Sequence, residues 1–519
     1  MNIFFRTNFS NKIGIGHTIR CNRLALELSK NNHNCYFFFD KPNSLKFINF
    51  RSFNLNTKLS DFNELKDAQN FCEITRKIGT GYVVVDDYRI GYKWEKFVSK
   101  FHKKVITFDD LNDKEHYSDY LINYNPKNFP NVKYNFKFNK KKSSEFLIHP
   151  KYNIISREKI IKNYNFEDKK FYVTFYIGGG GDLTFISKII MNLVKNGKLN
   201  RNIKFLVILG VFSENKEKIK ILSRKYKSVS FYDKGDNLYY IIKKTNLFVG
   251  TSGTAIFETA YLKTPTILFK KSVNQDTNIF SLENLGHFMF LDINKMRMIE
   301  KISNLIVLLI KNYKRFKKLN NNPIVKIDNN GSTRIMKRIF SKKHHINKNI
   351  DNNKYPSNKI LKIQKVTDKD INHYLHCRNL NLNRKTSSHN KKIDLLDHYI
   401  WWFNTKRNSY ILIENGKKIL YFYDEEILAI HKKKYFLSGW FACDKDCTIK
   451  HILFVLNWQR HLKKNVLWIS FVNKNNQLAI KYSKYVGWKI LDKKNKIIPS
   501  IKRKFNLDTN NFVFYERES

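Results

Sequence analysis

Acidic residues are scarce in this chain: 44 aspartates and glutamates stand against 96 lysines and arginines, a formal net charge of +52 over 519 residues. Such an excess ordinarily points to nucleic acid or an anionic membrane surface. Here the basic residues are spread along the whole length among abundant Lys, Asn, Ile and Phe. That even scatter fits compositional bias better than a binding stripe, so no nucleic-acid partner is expected. Cysteine is also sparse. The six (Cys21, Cys35, Cys72, Cys377, Cys443 and Cys447) form no CxxC pair. Cys443 and Cys447 lack a second ligand pair nearby in sequence, so no metal site is expected. Unpaired thiols suit a reducing compartment, and a cytoplasmic location is the expectation. Arg6, Asn8 and Lys12 interrupt what would be the apolar core of a signal peptide. No apolar run approaches the ~18 residues of a spanning helix, so membrane insertion is not expected. The longest apolar runs, such as Leu305 to Ile310, read as helix cores.

What is present describes a globular protein of two or three domains, with 42% hydrophobic and 15% aromatic residues. Over residues 1–155, short apolar runs alternate with amphipathic segments: Asn34 to Asp40, Tyr82 to Asp87, Lys104 to Asp110 and Tyr120 to Asn123. Continuous apolar strands separated by helices predict an α/β fold with a parallel sheet covered on both faces. Ligands of such sheets sit beyond the carboxyl ends of the strands. The residues to watch are therefore Asp86, Asp87, Tyr88, Asp109 and Asp110; the last two read as cap or loop residues.

The organising stretch is Gly14-Ile15-Gly16-His17-Thr18-Ile19-Arg20, between a β-type run (Ile3 to Phe5) and a helix-type run (Cys21 to Leu28). A glycine-rich strand-to-helix turn presents backbone N–H groups where negative charge is favoured. Gly14 and Gly16 permit close approach of a ligand, and the His17 imidazole titrates near neutrality and can take a proton from water. An exposed cap histidine in an ordinary turn would have the same local sequence.

A second α/β unit is expected over residues 156–340. The strand Lys170 to Ile177 runs into Gly178-Gly179-Gly180-Gly181, a turn suited to close passage of a pyrophosphate or ribose. Leu247 to Gly250 leads into Thr251-Ser252-Gly253-Thr254 and then Glu258. Such a turn holds phosphate, and a carboxylate accepts two hydrogen bonds from a diol. A buried glutamate paired with a neighbouring lysine is the alternative reading of Glu258.

The stretch Arg6 to Arg20, followed by Cys21 to Leu28, resembles the opening of the nucleotide-sugar hydrolases of pseudaminic acid biosynthesis (the PseG type). Their wider relatives are glycosyltransferases of GT-B architecture, and the resemblance continues to about residue 340. It implies two Rossmann-like subdomains, 1–155 and 156–340, with the substrate between them. It also implies a UDP-activated, diacylated amino-deoxy sugar as substrate, cleaved to UDP and free sugar with His17 as general base and no cofactor. Val85-Asp86-Asp87-Tyr88 resembles the family's strand-terminal motif, in which the tyrosine faces the sugar. Gly14, Gly16, Arg20, Tyr88, Arg157, Gly178, Gly179, Ser252, Gly253, Thr254, Glu258, Asn274 and Gln275 are the substrate and nucleotide contacts that the resemblance implies. Other enzymes of the sugar pathway are conceivable partners.

Residues 341–360 are basic and Asn-rich and read as a linker; His344 and His345 within them lack an acidic partner. From 361 to 519 the chain resembles a GNAT-type N-acetyltransferase domain, an α+β fold. The resemblance rests on Cys377-Arg378-Asn379, His398-Tyr399-Ile400-Trp401-Trp402 and Asn475 to Trp488. Acetyl-coenzyme A is the donor this implies. The pyrophosphate loop, however, is Asp444-Lys445-Asp446-Cys447-Thr448-Ile449, without glycine, and Ser483 stands where the family has a catalytic tyrosine. A glycosyltransferase using a UDP-sugar, and a basic nucleic-acid-binding protein, are the competing readings of the whole chain. An acyltransferase-like partner favours the hydrolase, because acylation of the sugar amine immediately precedes hydrolysis in that pathway.

Overall fold

The structure, a computed structural model, describes residues 1–10, 14–56, 62–125, 140–141, 143–156, 166–195, 197, 199, 202–233, 238–270, 279–292, 298–321, 323–340, 361–387, 390–430, 433–463, 465–492, 495, 497–505 and 509–518. The chain separates into two compact units, Met1–Lys348 and Asn349–Ser519.

In the first unit the apolar runs become two parallel sheets. The first sheet contains β1 (Asn2–Thr7), β2 (Asn34–Phe39), β3 (Arg51–Asn54), β4 (Gly81–Asp86), β5 (Lys104–Phe108), β6 (Tyr120–Asn123) and β7 (Glu145–Ile148), in the order β3-β2-β1-β4-β5-β6-β7. The connecting helices α1 (Gly16–Ser29), α2 (Glu64–Arg76) and α3 (Tyr92–Val98) cover both faces. Alternation along β1 explains why both faces need cover. Ile3 and Phe5 pack with Phe37, Leu24 and Leu28, whereas Phe4 packs with Phe38, Phe71 and Trp94 on the other side. A strand buried on both faces loses the polar alternation of a half-exposed one.

The second sheet contains β8 (Phe171–Tyr176), β10 (Ile203–Ile208), β12 (Val229–Tyr232), β13 (Leu247–Thr251), β14 (Thr266–Lys270) and β15 (Met289–Asp292), in the order β12-β10-β8-β13-β14-β15. Two short strands, β9 (Gly180–Asp182) and β11 (Phe212–Glu214), pair beside it. Helices α4 (Thr184–Lys195), α5 (Lys216–Lys225), α6 (Leu238–Lys244), α7 (Ala255–Tyr261), α8 (Ile279–Glu283), α9 (Ile299–Lys311), α10 (Tyr313–Asn320) and α11 (Gly331–Ile335) complete the unit. The apolar run on α9 is core, as Leu305 and Ile306 are fully buried.

Both sheets reverse their strand order once, and these reversals position the site. In the first sheet the switch falls between β1 and β4, where Thr7 pairs with Asp86. In the second it falls between β8 and β13, where Tyr176 pairs with Gly250. Crevices open at such points beyond the carboxyl ends. The motif turns therefore stand at the two switch points.

The second unit is a mixed sheet built on β16 (Leu361–Lys365), β17 (Asn408–Glu414), β18 (Lys417–Ile430), β19 (Lys433–Ala442), β20 (Val466–Asn473), β21 (Lys489–Ile490) and β22 (Phe512–Glu518). Its order is β16-β17-β18-β19-β20-β22-β21, and only the β19–β20 pairing is parallel among the described residues. Its helices are α12 (Ile371–Arg378), α13 (Asn381–Thr386), α14 (Leu395–Asn404), α15 (Ile449–Leu462), α16 (Gln477–Tyr485) and α17 (Ile497–Phe505). No helix among the described residues is long and apolar enough to cross a membrane.

Candidate active site

β1 ends at Thr7 and the chain returns through a bridge in which Gly14 N–H donates to the Ser10 carbonyl at 2.7 Å. Gly14 has φ +80°, a conformation that favours glycine. Gly16 opens α1 with empty space where a Cβ would stand, and the N-cap residue Ile15 makes no side-chain hydrogen bond to that helix. One residue on, His17 is buried against the end of β4. Its Nδ1 lies 2.6 Å from Asp86 Oδ1. Burial, the largest influence, disfavours the imidazolium; the charge and hydrogen bond of Asp86 outweigh it, so the pKa of His17 stands above its ordinary value. Burial likewise opposes the charge on Asp86, but Arg20 and His17 hold its carboxyl well below the usual range.

Arg20, one helical turn beyond His17, has its donors engaged. Its Nε and Nη2 reach the two oxygens of Asp86 at 2.8 and 2.6 Å. Nη1 donates to Asp110 at 2.9 Å and to the Tyr124 hydroxyl at 3.1 Å, while the guanidinium lies 4.5 Å over the Phe108 ring. Asp110 also accepts from the Tyr88 hydroxyl at 2.9 Å, and the Tyr88 ring stands edge-on to His17 with centroids 4.4 Å apart. Among the described residues both polar contacts of the His17 ring, with Asp86 and Arg20, are at Nδ1. An Nδ1–H donating to the carboxylate leaves Nε2 as the basic nitrogen. Beneath this group a second buried cluster anchors the end of β1: Arg6 donates to Asp40 at 2.6 Å and to both oxygens of Asp67 at 3.0 and 2.8 Å.

The second sheet supplies the facing wall. Gly178 has φ +91°, and a Cβ placed on it would lie 3.9 Å from Thr251 Oγ1, so the turns after β8 and β13 are side by side. A Cβ on Gly179 would lie 2.3 Å from Ile15 Cγ1, which brings the glycine turn against the N-cap residue of α1. Ser252, Gly253 and Thr254 connect β13 to α7, and Thr254 N-caps α7 without a side-chain hydrogen bond. On α7, Glu258 Oε1 accepts from Arg23 of α1 at 2.8 Å. Its Oε2 is buried without a hydrogen-bond partner among the described residues.

The structure thus gathers Gly14, Gly16, His17, Arg20 and Tyr88 at one switch point, and Gly178, Gly179, Ser252, Gly253, Thr254 and Glu258 at the other. Arg157, Asn274 and Gln275 lie outside the described residues, as does the segment 341–360 with His344 and His345. Arg20, expected on the nucleotide, instead has its guanidinium taken up by Asp86, Asp110 and Tyr124. Asp109 is the loop residue expected, accepting from the amides of Leu111 and Asn112. Asp110 is more than that, since it ties Arg20 to Tyr88. Glu258 pairs with an arginine and not a lysine. Sequence reading had Asp86 only among residues to watch and passed over Arg23 and Tyr124. Asp86 carried a signal in its place at the end of an apolar strand, whereas Arg23 and Tyr124 carried none.

In the second unit a cavity of about 540 Å³ is lined in part by Tyr374, Arg378, Trp401, Arg407, Tyr423 and Trp440. The cysteines form no CxxC pair in sequence, and the structure gives one of them partners from elsewhere in the fold. Cys443 finds its neighbours not in Cys447 but in His373 and Cys377 on α12. Pairing across the fold replaced spacing along the chain.

With this geometry in view, the model of the glycosyltransferase family 28 C-terminal domain matches residues 173–339, from β8 to the end of the second sheet's helices. An uncharacterized protein of Methanocaldococcus jannaschii is 27% identical over 283 residues, 52% of this chain and 55% of the relative. The chain thus spans about half the length of the curated relative it matches. Among solved structures, MurG of Acinetobacter baumannii aligns with 65% of this chain and 99% of its own, at 9% identity and TM-score 0.44. An N-acetyltransferase from Staphylococcus aureus Mu50 aligns with 31% of this chain and 98% of its own, at 15% identity and TM-score 0.24.

Proposed function

We propose that the first unit is a nucleotide-sugar hydrolase that removes UDP from a UDP-activated, diacylated amino-deoxy sugar. The observation that carries this reading is the His17–Asp86 pair, 2.6 Å apart at the first switch point, two residues beyond Ile15, which meets the glycine turn of the second. In this reading water attacks C1 of the sugar, His17 Nε2 takes the water's proton, and the C1–oxygen bond to the diphosphate breaks with its electron pair leaving on UDP. Asp86 orients the ring and stabilises the imidazolium as it forms. In this reading the amides of the turns after β8 and β13 and of the first turn of α1 offset charge on the departing diphosphate. Glu258 Oε2, an acceptor without a donor among the described residues, suits a ribose hydroxyl. The second unit, with its parallel β19–β20 pair and adjoining cavity, fits an acyltransferase-like domain of the kind that acylates the sugar amine.

The family 28 match favours a second reading, a GT-B-type glycosyltransferase. The same His17 would then deprotonate an acceptor hydroxyl in place of water. One experiment separates the two. The full chain is incubated with the UDP-diacetamido sugar and followed by NMR. Release of UDP and reducing sugar without any acceptor is the expected result. Turnover only when an acceptor alcohol is added supports the transferase, and no turnover under either condition overturns both.

A further inference from the structure

The second unit contains a side-chain cluster that neither reading uses. His373 and Cys377 are four residues apart on α12, so they share one face of the helix. Cys443 comes to them from the loop that follows β19. The ligand atoms of His373, Cys377 and Cys443 all lie within 4.8 Å of one another. Cys377 Sγ is 3.6 Å from His373 Nδ1 and 3.8 Å from Nε2. A tetrahedral ion with Zn–S about 2.3 Å and Zn–N about 2.0–2.1 Å sets sulfur and nitrogen ligands about 3.6 Å apart. Cys377 Sγ and His373 Nε2, at 3.8 Å, are close to that spacing, and Cys443 lies within 4.8 Å of both.

We propose that His373, Cys377 and Cys443 form a binding site for a thiophilic divalent cation of the zinc type. Two sulfurs and an imidazole are the donor set that zinc prefers over hard cations such as magnesium or calcium. The surroundings supply what such a site needs. The Tyr421 hydroxyl lies 2.9 Å from His373 Nδ1 and orients the ring, which leaves Nε2 for the ion. Cys377 is fully buried, whereas His373 and Cys443 are partly exposed, so the site is closed on one side and open on the other. Three protein ligands and an open fourth position leave room for water or an exogenous ligand.

The test uses the full chain, purified under reductant and stripped with chelator, then titrated with Co²⁺. A thiolate-to-cobalt charge-transfer band and strong tetrahedral visible bands should saturate at one equivalent and vanish on addition of Zn²⁺. Cys443→Ser and Cys377→Ser should each remove that endpoint, and Cys447→Ser should keep it. Absence of the bands, or their survival in Cys443→Ser, overturns the site. Should the variants fold poorly, alkylation of the unaltered protein decides. Zn²⁺ should protect Cys377 and Cys443 but leave Cys447 as reactive as before, and equal labelling with and without Zn²⁺ overturns the proposal. A Cys377–Cys443 disulfide found by mass mapping of protein isolated under thiol block would also overturn it, in favour of a covalent cross-link.

Discussion

Arg23 Nη1 donates to Glu258 Oε1 across 2.8 Å and joins two helices whose residues are 235 positions apart. The bond ties α1, behind the first switch point, to α7, behind the second. Because the Glu258 carboxylate is 1% exposed and has one oxygen without a partner among the described residues, the strut also holds an acceptor in reserve. Glu258→Gln should raise the dissociation constant for UDP by about 10- to 100-fold, the worth of a hydrogen bond to a charged group. Calorimetry with UDP and 2′-deoxy-UDP checks it. The wild type should discriminate between them and the variant should not; unchanged binding of both would leave Glu258 a strut alone.

His17→Ala should lower turnover by about 10²–10⁴-fold, the usual contribution of a general base, with little change in UDP affinity. Steady-state kinetics and direct UDP titration together check the split. Retention of near-normal turnover would remove His17 from the chemistry.

The pH dependence follows from the upward shift of His17 above 6.5. The base is inactive when protonated, so the acid limb of kcat/KM should have its midpoint above 6.5 and fall tenfold per unit below it. Asp86→Asn should move that limb downward. Stability has the opposite sense. The raised pKa stabilises the protonated folded form, so this contribution is full below 6.5 and is lost as pH rises through the folded value. A pH series of Tm for wild type and His17→Ala measures it.

Gly179→Ala should destabilise the first unit by about 1–3 kcal/mol, because the new methyl overlaps Ile15 Cγ1. Ile15→Ala in the same chain should recover most of the loss. Denaturant melts of the two single variants and the double variant measure the coupling, and strictly additive losses would show that the two turns do not touch in solution.

The second unit should bind acetyl-coenzyme A more weakly than the low-micromolar range. Its loop lacks glycine, and the first turn of α15 is closed by a capping box between Thr448 and His451. Asp444 and Asp446 both pair with Lys417 of β18, the former at 2.7 Å, and Lys445 adds a smaller attraction to Asp444. Calorimetric titration of the full chain decides, and low-micromolar affinity would show that the coenzyme enters by another route.

Local chemistry is what the sequence determined. Apolar strands ending in Asp86 and Asp110, glycine turns at Gly14, Gly178 and Gly179, and a histidine opening a helix are all effects of neighbours along the chain. Periodicity and turn preference report such effects, and the parallel α/β architecture of the first unit follows from them. Tertiary structure alone decided which residues face one another. Strand order set β1 beside β4 and so delivered Asp86 to His17, 69 residues away. The same placement used Arg20 as a buried clamp on Asp86 and Asp110. Packing elsewhere made Arg23 the partner of Glu258, and in the second unit it gathered His373, Cys377 and Cys443 from α12 and the loop after β19. Burial is the physical reason. A charged group or thiol removed from water takes the partner that packing brings within 3 or 4 Å, and sequence separation has no part in that choice.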